Sequence, residues 1–135
     1  MLAAMALGAD GVQVGTRFAA ARESSLHENF KNKIVGSKEG DTILTLKQLM
    51  PVRLMKNSFY SKVEEAENRG ASVEELKQLL GHARAKRGMF EGDLEEGELE
   101  IGQVAAGIHE IQPAATILMQ LREEYETARR KLCEK

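Results

Sequence analysis

The sequence predicts an α/β chain, mostly α-helical with one or two short strands, and three observations carry that prediction. Apolar residues recur at helical spacing along most of the 135 residues, and glycines close the periodic stretches. One brief run, Val12-Gln13-Val14, alternates apolar and polar between a glycine turn and Gly15-Thr16. Aromatic residues are only 4% of the chain, so the core must be built from Leu, Ile, Val, Ala and Met.

Residues 1–9 read as a helix, with Leu2, Met5, Ala6 and Ala9 at helical spacing and Gly8 as its C-cap. No N-cap precedes it, which is expected of a piece of a longer chain. Asp10-Gly11 turns the chain into the strand of residues 12–14. Helix, glycine turn, short strand and Gly-Thr together form an αβ unit of the kind found in parallel sheets. Ser25-Leu26-His27-Glu28 reads as a capping box, and the helix after it places Leu26, Phe30 and Ile34 on one face before Gly36.

Residues 42–46 are strand-like or irregular, Pro51 interrupts, and Val52, Arg53 and Leu54 suggest a second short strand. From Asn57 a helix turns Phe59, Val63 and Ala66 inward and stops at Gly70. A second capping box, Ser72 with Glu75, starts a helix carrying Leu76, Leu79 and Leu80. Residues 89–101 form a Gly-interrupted acidic stretch anchored by Phe90, Leu94, Leu99 and Ile101. Gly102 begins a tight turn into a short helix. Pro113 is placed at the first position of the last helix, whose inward stripe is Ile117, Leu121, Tyr125, Ala128 and Leu132. Arg129, Arg130 and Lys131 complement its C-terminal dipole.

A net charge of −2 gives no pull toward nucleic acid or an anionic membrane. No apolar run approaches the roughly 18 residues of a membrane span. The apolar N-terminus lacks the basic flank of a signal peptide. Cys133 is the one cysteine and has no adjacent base; it predicts an inert thiol in a reducing, cytoplasmic setting. His27, His82 and His109 match no compact metal motif and read as structural or solvated. The acidic residues between Glu91 and Glu100 lack the pattern of a calcium loop and read as a solvated loop. Arg84, Lys86 and Arg87 form an exposed basic face, or one that meets an acidic carrier protein or a nicotinamide phosphate. No metal ligand and no catalytic residue is assigned.

The segment from Gly8 to Phe18 holds the main candidate site. Gly15 lets an anion approach the backbone, and the amides of Gly15 and Thr16 can converge on it with the Thr16 hydroxyl. On spacing alone, a strand end whose Gly-Thr merely starts a turn is the more ordinary reading. The residues themselves add to this. Gly11-Val12-Gln13-Val14-Gly15-Thr16-Arg17-Phe18 resembles the eighth-strand segment of the nitronate monooxygenase and enoyl-[acyl-carrier-protein] reductase II family of FMN-dependent (β/α)₈ TIM barrels. Glu23-Ser24 with His27, the stretch from Val52 to Asn57, and Gly102-Gln103-Val104-Ala105 resemble it too.

The resemblance implies that Gln13, Val14, Gly15 and Thr16 contact the FMN phosphate. It places Gly102 and Gln103 near the substrate; their alternative is a helix start with a solvent-facing Gln. A whole barrel needs roughly 200 residues, so the chain is expected to be a C-terminal fragment. Residues 1–24 would be the last αβ unit of the barrel, and residues 25–135 a helical extension forming a single domain. Residues 84–93 and the Glu-rich run resemble the reductase branch, which takes electrons from NAD(P)H through FMN to an enoyl thioester for fatty acid synthesis. The alternatives are oxidation of nitronates on the same fold, and a non-catalytic helical interaction fragment. The expected partners are a small-molecule or acyl-carrier-protein-bound substrate and a second copy of the chain. The isolated chain is expected to be inactive, because the family's active-site histidine belongs to a part of the barrel not in this sequence.

Overall fold

Leu54 and Met55 are consecutive on one strand, so their side chains leave opposite faces of the sheet, yet both are buried. In the computed structural model, which describes residues 1–134 apart from the side chain of Cys133, this one fact divides the core in two. The reading of Cys133 lies outside the described residues. Leu54 joins Leu46, Phe59, Tyr60, Val63, Ala66, Ala71 and Leu76 on one face. Met55 joins Ala20, Phe30, Ile34, Leu99, Ile101, Ala105 and Ile108 on the other.

The strand belongs to an antiparallel hairpin of β1 (Thr42–Thr45) and β2 (Val52–Met55), with Thr42 opposite Met55 and Thr45 opposite Val52. Both strands anticipated around Pro51 are therefore present. The free edge of β2 is also used. Met55 N–H donates to the Leu99 carbonyl at 2.9 Å, and Ile101 N–H to that of Arg53 at 3.2 Å. Residues 99–101 thus close the edge and lead directly to Gly102.

Among the described residues the hairpin is accompanied by six helices and two irregular turns. In chain order the helices are α1 (Leu2–Ala6), α2 (Thr16–Ala19), α3 (Glu28–Val35), α4 (Ser58–Asn68), α5 (Val73–Leu80) and α6 (Ala114–Cys133). A π-helical turn, Lys86–Phe90, precedes the acidic loop, and a 3₁₀ turn, Gln103–Gly107, follows Gly102. No described helix is long and apolar enough to cross a membrane. The Ser72–Glu75 capping box forms with both of its hydrogen bonds. Asn57 caps α4 by accepting Tyr60 N–H at 2.8 Å, while its amide donates to the carbonyls of Leu94 and Gly97. That side chain therefore starts a helix and fastens the acidic loop to it. Arg84 adds a second tie: its guanidinium lies 4.4 Å over the Phe59 ring and donates to the Glu96 carbonyl at 2.7 Å. Lys86 pairs with Glu91 and Arg87 with Asp93, so the basic run faces its own acidic loop.

Several local expectations are corrected. Ser25 makes no capping box. His27 caps α3, its Nδ1 accepting Asn29 N–H at 3.1 Å, because the chain enters the helix two residues later than the Ser–Glu spacing implies. Residues 12–14 form no strand: among the described residues nothing pairs with them, and an unpaired run has no ladder to hold it. Val12 and Val14 instead line an apolar groove with Phe18, Leu118 and Leu121. Pro113 stands at the N-cap of α6, one position before the helix. Along α6 burial fades from Ile117, fully covered, to Leu132, 64% exposed. Its 20 residues span about 30 Å.

Gly88 and Gly97 meet where the π-helical turn crosses the acidic loop. A Cβ on Gly97 would stand 2.1 Å from the Gly88 Cα and 2.4 Å from the Asp93 carbonyl. Both obstacles are backbone, so neither can swing aside. Gly97→Ala is expected to destabilise the fold by more than about 2 kcal/mol. Gly36→Ala, whose Cβ meets nothing closer than 3.4 Å, should stay within about 0.5 kcal/mol of wild type. Urea unfolding of the two variants checks this; equal midpoints would show that the crossing is loose.

Candidate functional site

A glycine at residue 15 leaves the entrance to α2 uncovered. A Cβ built there meets nothing within 4 Å. The Gly15 carbonyl accepts from Phe18 and Ala19 at 3.0 and 2.9 Å, which closes the first turn and aims the preceding amides outward. Among the described residues, no carbonyl or side chain accepts from the N–H groups of Gly15, Thr16 or Arg17. Three neighbouring donors beside an open backbone are the chemistry that an oxyanion with several oxygens requires.

Thr16 contributes in a second way. Its Oγ1 accepts the Gly102 N–H at 3.1 Å, across 86 residues of sequence. Accepting uses a lone pair and leaves the hydroxyl proton free to donate. Gly102 has to be glycine for this contact, since a Cβ there would sit 2.5 Å from Thr16 Oγ1. The structure thus brings together two sites that the sequence offered separately. Gln13 and Gly15 are exposed, and Val14 and Thr16 are half-buried. Gln103 is exposed on the 3₁₀ turn, and among the described residues its side chain makes no hydrogen bond. None of Gln13, Val14, Gly15 and Thr16 titrates near neutral pH, so the turn can bind and orient a ligand without moving protons.

Sequence reasoning missed the residues that hold this turn in place. Arg17 donates to the Gln112 side-chain oxygen, and to the Glu110 carbonyl at 3.2 Å. Gln112 is buried, and its backbone carbonyl accepts from Arg22 N–H at 2.9 Å. The Glu23 carboxylate accepts from Ala114 N–H at 2.8 Å, at the start of α6. That hydrogen bond, aided by Arg22 and Lys31, holds the Glu23 carboxyl below the usual carboxylate range. The buried Lys31 ammonium donates to the Arg22 carbonyl at 3.0 Å and to Glu28 at 3.3 Å, fixing the same loop. Nothing in the periodicity marks Gln112. Glu23 carries no cap signature, because it caps a helix that begins 91 residues later.

Comparison with known proteins gives a consistent set of likenesses. A family model described as nitronate monooxygenase matches residues 1–124. A protein from Staphylococcus saprophyticus named "Probable nitronate monooxygenase" is 41% identical over 66 residues, covering 48% of this chain and 19% of that protein. A protein of the same name from Staphylococcus aureus is 44% identical over 45 residues, 33% of this chain and 13% of its own. The structure of FabK from Thermotoga maritima is 37% identical with a TM-score of 0.89, covering 99% of this chain and 42% of that one. A single-substitution mutant of that FabK gives 36% and 0.83, with 99% and 40% covered. The chain therefore spans about two fifths of the solved structures that it matches.

Two outcomes follow from the geometry. Thr16→Val should expose the Gly102 amide to hydrogen exchange and cost about 1 kcal/mol, while Thr16→Ser keeps both. Site-resolved exchange reads this, and equal Gly102 protection in the two variants would deny the contact. Glu23 sets a pH dependence. Its folded pKa is depressed, so its contribution is present above the unfolded carboxylate range near 4.3 and is lost as pH falls. Glu23→Ala should lower stability at pH 7 and flatten the decline between pH 5 and 3, as followed by thermal melts. An unchanged slope would show that the cap carries no charge-dependent stability.

Proposed function

Because the chain belongs to the nitronate monooxygenase family, we propose that it forms one half of the flavin phosphate site of an FMN-dependent oxidoreductase, of the enoyl-[acyl-carrier-protein] reductase II type. The observation that carries this reading is the unpaired donor set of Gly15, Thr16 and Arg17 beside an open glycine, within a chain that follows FabK over 99% of its length. Bound FMN would supply the hydride relay between NAD(P)H and an enoyl thioester. The residues of this chain would hold the phosphate: the amides by direct donation, the Thr16 hydroxyl by its free proton, and Gln13 and Val14 by shaping the approach. Gly102, held by Thr16, sets where the segment 99–107 runs relative to that phosphate. Proton transfer is not assigned to any residue of the turn.

Oxidation of nitronates is the second reading, favoured by the names of the staphylococcal relatives. Rapid reduction of the bound flavin by NADH or NADPH, followed by oxidation by a crotonyl-type thioester, supports the reductase. A flavin indifferent to nicotinamides but reduced by alkyl nitronates supports the other.

The phosphate assignment has its own test. Gly15→Val should obstruct the approach, and Thr16→Val should remove one charge-assisted hydrogen bond worth about 1.5–3 kcal/mol, or about ten- to hundredfold in FMN affinity. Fluorescence titration of the native apo-protein with FMN measures both, and wild-type affinity in the two variants would remove this turn from the site.

A further inference from the structure

We infer that Gln112 is the positioning residue of the phosphate turn, acting through Arg17, and that Arg17 serves as this tie rather than as a phosphate ligand. The inference rests on the FMN reading above. A four-residue helix such as α2 cannot fix its own direction, since nucleating so short a helix is unfavourable and none of its residues is fully buried. Its orientation is imposed from outside. On one side Thr16 takes the Gly102 amide. On the other, Gln112 accepts from both Arg17 and Arg22.

Gln112 is 8% exposed, which is unusual for a glutamine unless its polar atoms are satisfied. Its side-chain oxygen accepts from Arg17, its side-chain nitrogen donates to the Glu110 carboxylate, and its backbone carbonyl accepts from Arg22. Arg17 begins two residues after Gly15 and Arg22 follows the end of α2, so Gln112 grips the helix from both ends of its span. The Arg17 guanidinium has Gln112 and the Glu110 carbonyl as its partners, and these lie at the foot of α6. An arginine in a Gly-Thr-Arg turn suggests a direct phosphate contact; here two of the five guanidinium donors hold the side chain at the foot of α6, and the backbone amide is the unpaired Arg17 donor beside Gly15. A fork-shaped donor suits such a tie, because two fixed hydrogen bonds set an angle as well as a distance.

Comparing FMN with riboflavin, which lacks the phosphate, separates positioning of this turn from general damage. Native apo-protein is titrated with both flavins. Gln112→Met keeps the volume and removes the acceptor; it should lower FMN affinity about ten- to hundredfold while riboflavin affinity changes by less than about twofold. Arg17→Met should do the same, and the double variant should fall no further than the worse single one. Parallel loss of both flavins would overturn the inference, since it would mark a general structural role. So would a wild-type ratio in Gln112→Met beside a loss in Arg17→Met, which would mean that Arg17 meets the phosphate itself. Should Gln112→Met not fold, through-hydrogen-bond coupling between the phosphorus of bound FMN and the Arg17 guanidinium nitrogens of the native protein decides: its absence supports the tie, and its presence overturns the inference. Gly15→Val and Thr16→Val keep the two failures apart. If they lose the ratio and Gln112→Met retains it, the tie alone is wrong; if they retain it, the phosphate reading fails and the tie falls with it.

Discussion

The hydrogen bond from the Gly102 amide to the Thr16 hydroxyl is the constraint on which the rest of the site depends. It joins the N-terminal turn to the segment that closes the free edge of β2, and so couples that turn to the packed core. Both partners are specified tightly. Thr16 must offer a lone pair at one point, and Gly102 must have no side chain there. Because a hydroxyl accepts and donates at once, the same contact that anchors the turn leaves a donor for a ligand. Anchoring and binding therefore do not compete for Thr16.

Behind that contact, the core explains why Gly102 is where it is. Leu54 and Met55 are covered on opposite faces of β2, which forces the chain to wrap both sides of a two-stranded sheet that would be unstable alone. Residues 99–101 add the third line of backbone hydrogen bonds. Asn57, Arg84 and the Gly88–Gly97 crossing hold the acidic loop that delivers this segment. The loop's charge is thus structural in use, with Lys86, Arg87 and Arg84 each paired to it.

Much of this was legible in the sequence where the signal is local. The Ser72–Glu75 capping box, the Phe59–Val63–Ala66 face and the strands flanking Pro51 are written in neighbouring residues, and each appears as read. The turn proposed to hold phosphate stands out as a Gly-Thr motif and through family resemblance. What stayed hidden is non-local. Gln112 and Glu23 act on residues about 90 positions away, and no periodicity registers such a partner. His27 replaced Ser25 as the cap because its imidazole nitrogen reached the Asn29 amide, a competition between neighbours that spacing alone does not decide. Residues 12–14 carry a strand pattern but lack a ladder partner among the described residues, and alternation without pairing gives only an extended segment.

The role proposed for the backbone amides at the entrance to α2 is to hold a phosphate. Its most direct measurement is through-hydrogen-bond coupling between the phosphorus of bound FMN and nitrogen-15 in the native protein. Couplings are expected to the amides of Gly15 and Thr16, with the Gly102 amide uncoupled because it donates to the Thr16 hydroxyl. Couplings to the Gly102 amide, or none to residues 15 and 16, would contradict it.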